Sequence, residues 1–172
     1  MKLILVVFLF LFNSAKVNQP VRDKLDWLEI NLVSEKIQNE SRPVIIDLYT
    51  NWCYWCKVMD KKTYSNKKVI DYINNHFYAV KLDAETKGVV KWKNKDYQYN
   101  NNYKVNEFAM YVTSGQLSFP STIIIPDMNS APIAIAGFME PKEIESILKY
   151  FGEGAYKKQN FQEYQSKFKS TW

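Results

Sequence analysis

Two cysteines, Cys53 and Cys56, stand two residues apart in the segment Trp52-Cys53-Tyr54-Trp55-Cys56-Lys57, and the chain has no third. Six positions before Cys53 comes Asp47, the lone acid in the apolar run Val44-Ile45-Ile46-Asp47-Leu48-Tyr49. That run of β-branched and aromatic residues reads as a buried strand. Residues 53–62 contain neither Gly nor Pro and suit a helix. A Cys-x-x-Cys pair placed where a buried strand gives way to a helix is a redox signature, and that context turns a common pattern into a specific one.

The chemistry explains the placement. A cysteine at a helix N-terminus meets unpaired N–H groups and the positive end of the macrodipole, both of which favour a thiolate. Cys53 is therefore expected to be accessible and ionised, the nucleophile that attacks a disulfide. Cys56, one turn further in, is expected to attack the resulting mixed disulfide and release the reduced substrate. A carboxylate in an apolar strand is costly unless paired or protonated, so the pKa of Asp47 is expected to be raised. Such a group is suited to taking the proton from Cys56.

The 172 residues are one domain's worth of chain, and with 47% hydrophobic and 16% aromatic residues they exclude a disordered protein. Residues 1–15 have the pattern of a secretory signal peptide: a lysine at position 2, an apolar run over 3–12, then Asn13-Ser14-Ala15. The apolar run is shorter than the ~20 residues of a membrane span. Export is the expectation, to a periplasmic or extracellular compartment. Removing that segment leaves 22 basic against 18 acidic residues, scattered except for Lys87, Lys91, Lys93 and Lys95 around Trp92. So mild an excess predicts no nucleic-acid partner, and the lysine patch reads as a solvated hairpin face. In an oxidising compartment two cysteines also admit a purely structural bridge, but one spanning two residues closes almost no loop and removes little unfolded-state entropy.

A polar leader is expected over 16–24, followed by a short strand at 25–28, a helix at 29–39, the strand at 44–49 and the motif helix. Ser65 or Asn66 is positioned to cap a further helix at 67–75, and 77–83 alternates like the strand completing a parallel crossover. Residues 84–103 read as an insert holding one small hairpin around Lys93-Asn94-Lys95. Helical spacing then runs from 103 to 113, followed by strands at 121–125 and 131–136. Glu140-Pro141 opens a final helix through Phe151. Residues 156–172 are an aromatic tail expected to pack back as a short helix.

The order strand, Asp47, Cys53-x-x-Cys56, helix, strand, helix, Phe119-Pro120-Ser121-Thr122, hairpin, helix resembles the thioredoxin superfamily over about 25–151. It is most similar to secreted bacterial thioredoxin-like proteins with a Trp-Cys-x-x-Cys-Lys site followed by a Met-Asp pair, here Met59-Asp60. The resemblance implies an α/β thioredoxin fold, a central mixed β-sheet flanked by helices on both faces, for a domain over 25–155. It also implies that Pro120 is cis and faces the site, with Phe119 presenting its backbone to an extended substrate peptide. The chain departs from the family in its Tyr54-Trp55 dipeptide, the bulky Phe119 and the 84–103 insert.

The expected function is thiol–disulfide exchange on exported cysteine-containing clients, as a reductant or isomerase more than an oxidant. Tyr54-Trp55 adds no cation between the cysteines, so the thiolate is stabilised less than in strong oxidants. A monomer is expected, with a membrane electron donor and no cofactor beyond the Cys53–Cys56 disulfide. Tyr54 and Trp55 read as an apolar docking rim, and Trp52, a further candidate for substrate contact, reads more as a packing residue. Two alternatives stay open: a chaperone-like module that holds client peptides on this rim, and Cu(I) handling by the cysteines with His76. Haem attachment fails because position 57 is Lys, and structural zinc lacks ligands. Asp60 and Lys57 read as surface residues.

Overall fold

The computed structural model describes residues 22–172, so the signal segment at 1–15 and the leader up to residue 21 lie outside the described residues. In chain order the elements are β1 (Trp27–Leu28), α1 (Ile30–Asn39), β2 (Val44–Tyr49), α2 (Tyr54–Lys62), α3 (Lys67–His76) and β3 (Tyr78–Asp83). There follow β4 (Val90–Trp92), β5 (Lys95–Tyr97), β6 (Tyr99–Asn100), β7 (Val105–Asn106), α4 (Glu107–Val112), β8 (Ser121–Ile125), β9 (Ile133–Ala136) and α5 (Pro141–Gly152). A 3₁₀ turn (Ala155–Lys157) and α6 (Phe161–Lys167) close the chain. The architecture is the thioredoxin fold: one five-stranded sheet in the order β1-β3-β2-β8-β9, with helices on both faces.

β2 is the central strand, parallel to β3 and antiparallel to β8. Its side chains alternate between two apolar layers. Val44, Ile46 and Leu48 join α1, α4 and the insert, whereas Ile45 lies in the layer with α2, α3 and α5. By the same alternation Asp47 faces the α2 layer. The helices start where side chains meet free N–H groups. Asn66 accepts from the Lys68 N–H at 2.9 Å, Asn106 accepts from that of Phe108 at 2.9 Å, and Glu143 reaches back to the Glu140 N–H at 2.6 Å.

Two regions differ from expectation. The insert holds two hairpins, not one: β4 pairs with β5 across a two-residue turn in which Lys93 and Asn94 both have positive φ, and β6 pairs with β7. Because β7 takes Val105 and Asn106, α4 begins at Glu107 rather than at 103. The helical spacing of Val105, Phe108, Ala109 and Val112 still marks the buried residues, but Val105 reaches the core from a strand. The insert is also part of the core. Trp92 is 1% exposed against Phe108, while its neighbours Lys91 and Lys95 face solvent.

Candidate active site

β2 ends at Tyr49, and a turn through Thr50, Asn51 and Trp52 leads into α2, so the cysteines sit at the carboxyl end of the central strand. In open α/β sheets that end is where the chemistry collects. The Thr50 carbonyl accepts the Cys53 N–H at 3.2 Å, which aims the chain into the helix. Cys53 is the N-cap residue of α2, and its sulfur accepts the Cys56 N–H at 3.0 Å. An N–H aimed at the sulfur favours negative charge there, as the sequence pattern implies. The two cysteines form a disulfide with Cα atoms 5.4 Å apart. In this oxidised state Cys53 is only 4% exposed, less open than an accessible nucleophile suggests, so its approach is narrow.

Asp47 is 2% exposed, directly between Lys81 of β3 and Thr122 of β8 in the sheet register. Burial pushes its pKa up to about 7, with the Lys81 ammonium pulling it down and Asp60 pushing it up. Lys81 lies 3.3 Å from Asp47 and also bonds to Asp60. Burial disfavours the Lys81 charge, but the Asp60 hydrogen bond and the two acids outweigh it and hold the ammonium above its usual range. Asp60, expected at the surface, is thus half-buried and tied to β3. It sits four residues beyond Cys56, one turn along α2, where the helix overhangs the strand. Lys81 was hidden in the sequence as one polar position of an alternating strand. Tyr64, whose hydroxyl is 3.3 Å from that of Thr122, completes the polar cluster and is held neutral by its burial.

Around the disulfide Trp52 is 67% exposed, Tyr54 70% and Trp55 54%. Trp52 is therefore not the core packing residue that its sequence context suggests, but lies on the rim. Its Nε1 donates to Glu85 at 3.0 Å and its ring meets Phe119 edge-on at 5.9 Å. Trp55 contacts Tyr54 and Phe138, each at 5.6 Å between centroids. The Phe119–Pro120 peptide is cis, and Phe119 makes no backbone hydrogen bond among the described residues. Lys57 is exposed. His76 is stacked on Tyr72 at 4.1 Å with its Nδ1 2.9 Å from the Tyr72 carbonyl oxygen. Among the described residues no three His, Cys, Asp or Glu side chains are grouped to hold a metal ion.

A family model described as "Thioredox_DsbH: Protein of unknown function, DUF255" matches residues 9–153. An uncharacterized protein of Caenorhabditis elegans is 22% identical over 138 residues, 79% of this chain and 17% of that protein. The thiol:disulfide interchange protein DsbD of Campylobacter jejuni is 21% identical over 112 residues, 65% of this chain and 17% of that protein. The chain thus spans about one sixth of the length of these relatives. Among solved structures, one titled "DsbH Oxidoreductase" superposes with a TM-score of 0.56 at 15% identity, covering 82% of this chain and 93% of the other.

Proposed function

The chain belongs to the Thioredox_DsbH family, DUF255, and from that premise we propose that it is a thiol–disulfide oxidoreductase that reduces or isomerises disulfides in exported proteins. The observation that carries this reading is the Cys53 sulfur at the N-cap of α2, bonded by the Cys56 N–H and joined to Cys56 in a disulfide. In the reduced enzyme the Cys53 thiolate attacks a client disulfide. A Cys53–client S–S bond forms, the client bond breaks and one client thiolate leaves. Cys56 then gives its proton to Asp47, and the new thiolate attacks the Cys53 sulfur. This closes the Cys53–Cys56 disulfide and expels the second client thiolate, so two electrons have passed to the client. An external dithiol, supplied in the cell by a membrane donor, restores the thiols.

Phe119 and Pro120 hold the client backbone, since the free Phe119 N–H and C=O are suited to pairing with an extended segment. Trp52, Tyr54 and Trp55 supply apolar contact. The apolar run and small residues at 1–15 support export. With dithiothreitol as electron source and insulin as client, we expect turnover that is lost in Cys53→Ser. Cys56→Ser is expected to accumulate a covalent client adduct that dithiothreitol releases. Turnover that survives Cys53→Ser excludes the mechanism. The exposure of the three rim aromatics also favours a client-holding role, for which binding would survive both cysteine changes with no turnover in the parent.

A further inference from the structure

The outer face of α2 bears on which clients are chosen, an inference that rests on the disulfide exchange proposed above. Tyr54, Lys57, Val58 and Lys61 follow one another at helical spacing and, with Lys62, line a groove of about 300 Å³ along the helix that Cys53 caps. Lys62 is engaged by Glu140 at 3.5 Å. Lys57 and Lys61 are exposed and have no acidic partner among the described residues. Two like charges four residues apart destabilise a helix, and an anion between them relieves that cost. On the Trp52 side the charge reverses: Asp83 bonds Asn51 at 3.0 Å, Glu85 accepts from Trp52, and neither has a cationic partner among the described residues. The rim is therefore an aromatic strip with a basic bank along α2 and an acidic bank at the end of β3.

We propose that the Tyr54–Lys57–Lys61 groove binds an acidic segment of the client, selecting disulfides whose reacting cysteine has a carboxylate two to four residues away. The distance follows from helix and strand rise. Lys57 and Lys61 lie about 6 and 12 Å along α2 from Cys53 at about 1.5 Å per residue. An extended client advances about 3.3 Å per residue, so two to four residues span the same interval. Tyr54 before the cations and Val58 between them pack the methylene stem of a glutamate.

Two disulfide-linked peptides that differ only in Glu or Lys three residues from the cysteine test this. The quantity to read is the ratio of their kcat/KM values, in which any general loss of activity cancels. The full-length protein is expected to prefer the Glu peptide about fivefold at low salt, with the preference fading as salt screens the charges. Lys57→Glu/Lys61→Glu is expected to invert the ratio, and Lys57→Gln/Lys61→Gln to bring it to about one. Equal rates on both peptides, or a preference that persists in both double variants, overturns the assignment. Turnover of neither peptide by the parent overturns the exchange activity itself, and the assignment with it.

Discussion

In the folded chain Asp47 holds its proton up to about pH 7, whereas an unfolded chain releases an aspartate proton near pH 4. Between those values the unfolded state binds fewer protons, so rising pH costs stability across that window. The penalty is absent below about pH 4 and complete above about pH 7, with an upper bound of about 4 kcal/mol. Asp47→Asn in the disulfide form is therefore expected to match the parent at pH 4 and to exceed it in urea unfolding at pH 8. It is also expected to slow release of the mixed disulfide and remove that step's inflection near pH 7. In the exchange proposed above, the same group serves as a base once ionised. The cysteines and Asp47 were legible from spacing and an apolar context alone. Lys81 and Asp60 were not, because what joins them to Asp47 is the register of β2 against β3 and the overhang of α2, both non-local.

Among the elements, α5 carries a device that local patterning concealed. Glu145 has no exposed surface and accepts from the Lys149 ammonium at 2.7 Å, the Ser170 hydroxyl at 2.6 Å and the Thr171 N–H at 3.0 Å. Burial alone raises a carboxyl pKa, but these bonds from Lys149, Ser170 and Thr171 hold it down to about 2. The group thus contributes stability above about pH 4.5 that is lost as pH falls toward 2, opposite in sign to Asp47. Lys149 and the strap 170–172 cover it near the surface, and screening there trims the contribution to about 1–2 kcal/mol. Glu145→Gln is expected to lose that amount at pH 7, measured by denaturant unfolding, and to flatten the acid limb of the stability curve. The aromatic tail was expected to fold back, and Phe161 and Tyr164 do pack on Tyr150, each at 5.2 Å. The clasp beneath it was invisible, since an i,i+4 Glu–Lys pair looks like any solvated helix face.

At the scale of the molecule, alternation of strands and helices and the apolar runs at 44–49 and 121–125 marked the elements, and the resemblance to thioredoxin-like proteins supplied the sheet and its two covered faces. The insert resisted because short hairpins of two or three residues per strand leave too few positions for any period to show. Their Val90, Trp92 and Tyr97 nonetheless complete one of the two apolar layers. That layered frame puts one N-capping sulfur at the end of the central strand, with no cation between the two cysteines. If the pair donates electrons to its clients as proposed, its reduction potential is the direct test. Equilibration with a dithiol buffer series, read by the fraction of disulfide at each ratio, is expected to give a value of about −270 mV. A value of about −120 mV would mark an oxidant and contradict electron donation by this pair.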